Sequence, residues 1–185
     1  MVVLIVVLVL IVLGFLVAIG IYNSLVSLRN QVKNAWSQID VQLKRRHDLI
    51  TNLIETVKGY RDHERQTFEA ITNARSQAVN AQSVGDKAKA EGLLSAAMGK
   101  FFAVMENYPD LKANQNFLAL QEELSSTENK IAFARQSYND QVLFFNNKIQ
   151  MFPSSIVAGM FSFKSEEFFQ IEDKAEKEVP KVSFA

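Results

Sequence analysis

The strongest pattern in the chain is an uninterrupted apolar run at positions 1–21, which contains no charged side chain. An α-helix rises ~1.5 Å per residue, so about 20 residues cross the ~30 Å hydrocarbon core of a bilayer. A lone strand would leave its backbone groups unpaired in lipid, so the run predicts a transmembrane helix. A cleaved signal peptide and a buried core helix are the alternatives. The run lacks the basic n-region and the clean cleavage site of a signal peptide.

The basic residues that follow the run indicate its orientation. Arg29 and Lys33 come first, and Lys44, Arg45 and Arg46 lie further along. Lys and Arg tend to remain on the cytoplasmic side of a membrane. The pattern therefore predicts an anchor at residues 1–22, an N-terminus outside and the remaining chain in the cytoplasm.

Four further stretches have apolar residues at steps of three and four, which is the spacing of one helix face. They predict helices at about 23–58, 63–82, 86–107 and 111–151. Neither Pro nor Gly separates the apolar run from the first of these, so the two are expected to be continuous. Gly59, Gly85 and Pro109 mark the breaks between them. Asp86 is expected to cap the third helix, and either Asp110 or Asn114 the fourth.

These elements predict an all-α fold in which residues 23–152 form an antiparallel four-helix bundle behind the membrane anchor. If the second and third helices fuse, three long helices result instead. Residues 153–171 form a Phe-rich segment. In the four-helix arrangement successive helices run in opposite directions, so this segment is predicted to lie on the membrane side of the bundle. Residues 172–185 are charged and contain Pro180, so they are predicted to be a flexible tail.

Phenylalanine is concentrated near the C-terminus, where eight of the fourteen Phe residues lie at or after Phe144. The apolar part of this segment is too short to span a bilayer. Its side chains could cover the end of the bundle, pack between subunits or enter the interfacial layer of the membrane. The candidate contact residues are Phe144, Phe152, Phe161, Phe163, Phe168 and Phe169.

A polar cluster interrupts the apolar stripe of the first long helix. It has two interpretations, a patch that contacts a partner or senses a signal, and an ordinary solvated helix face. At helical rise the cluster is ~30 Å or more from the membrane, which argues against direct lipid contact. The residues concerned are Lys44, Arg45, Arg46, His47 and Asp48.

Composition argues against several classes of function. Twenty Lys and Arg balance twenty Asp and Glu, so charge gives no case for a nucleic-acid partner. Cysteine is absent, which excludes disulfides, thiolate metal sites and Cys nucleophiles. His47 and His63 lack the glutamate three positions earlier that a di-metal bundle needs, and no phosphate-binding glycine loop occurs. Glu122, Glu123 and Glu128 are interpreted as a solvated helix face. We therefore expect no catalytic residue, no metal and no cofactor.

Several stretches together resemble the LemA family. They include YNSLV at 22–26, VKNAWSQIDVQLKRRHDLI at 32–50, ENYPDLKAN at 106–114, LQEEL at 120–124, FPS at 152–154 and PKV at 180–182. The resemblance implies a single-pass anchor in the bacterial inner (cytoplasmic) membrane, a cytoplasmic helical bundle and a molecular activity that is not established for the family. Thr51 stands where the family usually has proline, which predicts a straighter first helix here.

Taken together, these features predict a non-enzymatic, membrane-anchored helical bundle that forms a homo-oligomer and serves as a scaffold organising or shaping the bacterial membrane. Anchoring in one orientation holds copies side by side and raises their effective concentration. The alternative is an adaptor that docks onto another membrane protein, such as a protease or a signalling kinase. A third class, an enzyme, would require a polar cleft with perturbed carboxylates.

Overall fold

The computed structural model describes residues 1–60 and 64–170, and the regular structure within these ranges is entirely helical. The all-α prediction is confirmed for this part of the chain. The predicted tail at 172–185 and His63 lie outside it. The helices are α1 (Val2–Thr56), α2 (Arg65–Asn80), α3 (Val84–Met105), α4 (Pro109–Lys112), α5 (Gln115–Gln150) and α6 (Ser154–Met160), with a 3₁₀ turn at Lys58–Tyr60.

Helix α1 is continuous over 55 residues and passes through the predicted anchor boundary at residue 22. No Pro or Gly lies between Gly20 and the end of the helix to interrupt its hydrogen bonding. Its most apolar 18-residue window is 0% buried, whereas the core helix of a soluble protein would be mostly buried. By length and composition, α1 is therefore able to cross a membrane.

The caps of α3 and α5 show one wrong prediction and one confirmed prediction. Ser83, not Asp86, is the N-cap of α3, because its hydroxyl accepts a hydrogen bond from the Asp86 backbone N–H at 3.0 Å. Asp86 instead lies in the first turn, where its carboxylate accepts from the same hydroxyl at 2.7 Å. At α5, Asn114 Oδ1 accepts from the backbone N–H of Asn116 at 2.9 Å, as predicted for a cap.

The described residues divide into two compact units. The first comprises Met1–Val41 and Ala132–Phe168, and the second is built around Gln42–Ile131. The second unit has one apolar core to which α1, α2, α3, α4 and α5 all contribute. Its fully buried members include Ile50, Leu53, Ile71, Ala78, Leu94 and Phe101. The separate α2 and α3 helices lie within this unit; the antiparallel four-helix arrangement stays a prediction.

In the first unit, α6 packs on the part of α1 that directly follows the apolar run. Val157 and Ala158 form a small core with Leu25, against which Ala18, Ile21, Tyr22, Ile149 and Phe163 also pack. After α6, the chain lies along α5, where Asn146 Nδ2 donates to the Glu166 carbonyl at 3.0 Å. The Tyr138 hydroxyl donates to the Glu167 carbonyl at 2.8 Å. These contacts hold the C-terminal segment against α5 as far as Glu167.

Candidate functional site

Two charged residues occupy core positions of the second unit. Arg46 lies three residues after Leu43 and four before Ile50, so it continues the apolar stripe of α1. Glu91 precedes Leu94 by three residues and continues the stripe of α3 in the same way. Their side chains are only 5% and 2% exposed. A charge at such depth requires a partner, because burying it alone is very costly.

The Arg46 guanidinium is the centre of a group that we call the Arg46 cluster, consisting of Arg46, His47, Glu91, Ser95 and Glu128. Arg46 Nη2 donates to Glu91 Oε2. Arg46 Nη1 donates to Glu128 Oε2 at 2.6 Å and to Ser95 Oγ at 3.0 Å. His47 Nε2 lies 2.8 Å from the other Glu91 oxygen, Oε1. Glu91 thus bonds two consecutive residues of α1.

Helix geometry explains why these side chains meet. Glu91 and Ser95 are separated by one turn of α3 and therefore share a face that can reach one guanidinium. Helix α2 joins through Arg75, whose Nε donates to the His47 carbonyl at 3.0 Å. The Thr51 hydroxyl donates to the same carbonyl, also at 3.0 Å. The cluster and its neighbours consequently connect α1, α2, α3 and α5 of the second unit.

Glu91 is held in its ionised form. Burial alone would raise the pKa of its carboxyl, but the hydrogen bond from His47 and the positive charge of Arg46 outweigh burial and lower the pKa below its usual value. Because both of its oxygens are engaged, Glu91 is poorly suited to act as a general acid. Within residues 1–60 and 64–170, no group of three His, Cys, Asp or Glu side chains could hold a metal. The arrangement is suited to joining helices.

The lowered pKa of Glu91 gives a pH-dependent stability. A carboxyl whose pKa is lower in the folded than in the unfolded state stabilises the fold at pH values above its unfolded pKa, which is about 4.3 for Glu. This stabilisation is lost as the pH falls through the pKa of the folded state. We expect Glu91→Gln to lower the thermal midpoint clearly at pH 7 and much less near pH 3. Midpoints from circular dichroism in detergent, measured across this range beside the exposed control Glu122→Gln, check the prediction. An equal effect of Glu91→Gln at both pH values would contradict it.

The predicted polar patch is divided by the fold. Arg46 and His47 are buried, so they do not form an accessible contact surface. Lys44, Arg45 and Asp48 are exposed. Arg45 Nη2 lies 3.3 Å from Glu123 Oε2, and both side chains are about half exposed, at 51% and 53%. Partner contact through the three exposed residues stays a prediction, while the solvated-face interpretation does not apply to the two buried ones.

The predicted aromatic contact residues also differ in their surroundings. Phe144, Phe152 and Phe161 are exposed, at 57%, 82% and 56%. Phe163 and Phe168 are half-buried, and Phe169 is buried. The rings of Phe161 and Phe163 lie 4.6 and 5.9 Å from that of Tyr22, centroid to centroid. Part of the segment therefore covers α1 of its own chain.

Sequence reasoning missed Glu91 and the exposed aromatic Phe133. The signal for Glu91 was available, since a carboxylate interrupts one apolar stripe and a guanidinium interrupts another. The interpretation of Glu128 as merely solvated was incomplete, because this half-exposed carboxylate binds Arg46. Phe133 lies one position before the apolar stripe residue Ala134 and is 75% exposed.

The sequence matches the family model described as LemA family over residues 35–184. Protein LemA of Metamycoplasma hominis is 29% identical over 168 residues, which cover 86% of this chain and 77% of that protein. Magnetosome protein MamQ 2 of Paramagnetospirillum magneticum is 25% identical over 175 residues. Magnetosome protein MamQ of Magnetospirillum gryphiswaldense is 23% identical over 174 residues. Both alignments cover 80% of this chain but 64% of the relative, which is less than two thirds of its length.

Proposed function

The chain belongs to the LemA family, as its sequence resemblance predicted, and on this premise we propose that it is a non-enzymatic protein anchored in the bacterial inner membrane by α1. Its N-terminus lies outside, and its cytoplasmic part is an antiparallel four-helix bundle. Copies assemble with one another into a scaffold that organises or shapes the membrane. The name of the MamQ relatives links those proteins to the magnetosome; for this chain we propose only a shared anchored helical architecture.

Support for the anchor comes from the contrast between the two ends of α1. From Val2 to Val17, the large apolar side chains of α1 are exposed, with no protein packed over them. Beyond this run, Leu25, Val32, Ile39 and Leu43 are buried against the rest of their respective units. A helix that is apolar all round and uncovered by protein suits a lipid environment.

The observation that carries self-assembly is a pair of exposed aromatic side chains on α5. Phe133 and Phe144 are 75% and 57% exposed. Eleven residues separate them, which is about three turns or ~16 Å, so both lie on nearly the same line along the helix. Phe133 lies 16 residues before Ile149, which packs beside Ile21 at the end of the apolar run. Because 16 residues of α5 span ~24 Å, lipid cannot cover both aromatics, whereas a second copy can.

Self-assembly is tested by native mass spectrometry of the full-length chain in nanodiscs. We expect an oligomer at micromolar concentration that Phe133→Ser/Phe144→Ser converts largely to monomer. Burying one Phe side chain contributes about 1.5–3 kcal/mol, so the double change should weaken association by at least about tenfold. The matched control is Leu93→Ser, which removes another exposed apolar side chain, on α3. A wild-type protein that is monomeric under these conditions would contradict the scaffold.

A monomer would instead favour the adaptor function. The observation that supports an adaptor is the exposure of Lys44, Arg45 and Asp48 on one turn of α1, where another membrane protein could bind. Arg45 already pairs with Glu123, and exposed ion pairs contribute little, so a partner carboxylate could replace Glu123 at small cost. We rank this function second because the two neighbouring cluster residues, Arg46 and His47, are buried.

A further inference from the structure

We propose that α6, with its flanking aromatic residues, is a second membrane contact that lies in the interfacial layer of the same bilayer that α1 spans. The inference rests on the proposed anchoring by α1. It adds a second segment of the chain that contacts the lipid surface. The exposed surface of α6 contacts lipid, at the boundary between headgroups and acyl chains.

The level of α6 relative to the apolar run is the first argument. Val157 and Ala158 pack with Leu25, beside Ala18 and Ile21 of α1. The apolar run ends at position 21, and the headgroup layer of a bilayer adds about 5–8 Å on each side of the hydrocarbon core. At ~1.5 Å per residue, this layer corresponds to about the next five residues of α1. Helix α6 therefore packs at the height where hydrocarbon gives way to headgroups.

The second argument is that the outer face of α6 is apolar. Ser154, Val157 and Ala158 face the protein, at 4%, 6% and 3% exposed. Ile156 and Met160, one helical turn apart, face away and are 56% and 75% exposed. A surface helix in water would carry polar residues on its outer side. An outer face of this kind is typical of helices that lie in the membrane interface.

The residues next to α6 extend the same apolar surface. Met151 and Phe152 precede it with 62% and 82% of their surface exposed, and Phe161 follows with 56%. The ring of Phe161 lies 4.6 Å from that of Tyr22, the first residue after the apolar run. Tyr, like Trp, is enriched at the headgroup level, where its apolar ring and its polar group are both accommodated. The exposed surface is thus continuous with the lipid-facing side of α1.

Basic side chains lie at or just beyond the headgroup layer, within reach of its negative potential. The Arg29 guanidinium is 5.1 Å from the centroid of the Phe163 ring, and Arg29 Nε is buried without a hydrogen-bond partner. Lys164, the next residue after Phe163, is exposed. Lys148, in the last turn of α5, is adjacent to Ile149 of the small core around Leu25. Cations at this height bind the anionic surface that attracts basic segments to the cytoplasmic leaflet.

The absence of cysteine from the sequence permits a direct test by site-directed spin labelling. Single-cysteine variants Ile156→Cys and Met160→Cys carry a nitroxide, as do Leu10→Cys inside the apolar run and the exposed control Leu93→Cys. The full-length protein is reconstituted in vesicles of phosphatidylethanolamine and phosphatidylglycerol. Collision of each label with oxygen, which concentrates in lipid, is compared with collision with a water-soluble nickel chelate.

We expect labels at positions 156 and 160 to collide preferentially with oxygen, as the label at 10 does, and the label at 93 to collide preferentially with nickel. If the labels at 156 and 160 collide preferentially with nickel while the label at 10 collides preferentially with oxygen, the α6 inference is overturned and the anchor is left intact. A nickel-accessible label at 10 would overturn the anchor itself, and the inference with it. Protection of 156 and 160 from both reagents would show that protein, not lipid, covers them and would also overturn the inference.

Discussion

Glu91→Leu is expected to destabilise the protein by about 3–5 kcal/mol, because it leaves a buried guanidinium without its main counter-charge. Arg46 keeps its bond to Glu128, but that carboxylate is 51% exposed and bonds only Nη1. His47 loses its partner at 2.8 Å in the same step. With Arg46 retaining one carboxylate, the lower end of the range is expected.

Chemical denaturation in mild detergent, followed by circular dichroism, measures this change. The control is Glu122→Leu, which removes an exposed carboxylate and should alter the free energy of unfolding by no more than about 0.5 kcal/mol. The double variant Arg46→Met/Glu91→Leu should recover most of the loss, since replacing both members of a buried ion pair by apolar side chains is often neutral or stabilising. If Glu91→Leu behaves like Glu122→Leu, the ion pair does not stabilise the second unit as inferred.

The apolar stripes of the sequence predicted most of the core. On α1, the three-four spacing predicts one face that holds Leu25, Leu28, Val32, Trp36, Ile39 and Leu43; four of these six are buried, and Leu28 and Trp36 are half-buried. The same spacing predicts Ile71, Ala74, Ala78 and Ala81 on the second helix, of which all but the half-buried Ala81 are buried. On the third helix it predicts Leu94, Met98, Phe101, Met105 and Tyr108, of which all but the half-buried Tyr108 are buried. This success has a simple cause, because the three-four spacing is a property of each helix alone and needs no knowledge of its neighbours.

The Arg46 cluster could not be predicted in the same way. A charged residue on an apolar stripe looks locally like the end of the stripe, and the pairing of Arg46 with Glu91 joins positions 45 residues apart. Choosing that pairing requires the relative rotation and height of α1 and α3. Opposite charges on two stripes narrow the set of possible ion pairs, but they do not identify which pair forms.

The cap of α3 and the two faces of α6 show where local patterns were ambiguous. Ser83 and Asp86 both have side chains suited to an N-cap, and only the backbone conformation of Ser83 decides between them. In α6, Ile156 and Val157 are adjacent and equally apolar, yet one is 56% and the other 6% exposed. The sequence marks both side chains as apolar, but it does not indicate which of them the protein covers.

Asn146→Ala is expected to release the chain that follows α6 from α5. The Asn146 side chain is 9% exposed and binds both backbone groups of Glu166, accepting from its N–H at 2.9 Å and donating to its carbonyl at 3.0 Å. A backbone group that loses its partner while buried costs about 1–3 kcal/mol. If the free energy of local opening falls by about 1.4 kcal/mol, the open state becomes ten times more populated. The Glu166 amide should therefore exchange its hydrogen at least about tenfold faster.

The neighbouring Tyr138 determines how far this release extends. Its hydroxyl donates to the Glu167 carbonyl, and burial together with the nearby charges of Glu166 and Glu167 raises the pKa of Tyr138 to about 12, so the donor proton is retained at every ordinary pH. Asn146→Ala should therefore speed exchange at residue 166 more than around residue 168, and Tyr138→Phe/Asn146→Ala should speed both. The matched control is Asn147→Ala, which removes the same side chain from the adjacent, exposed position. Equal exchange in the Asn146 and Asn147 variants, measured by hydrogen–deuterium exchange of the full-length protein, would show that contacts other than Asn146 hold the segment against α5.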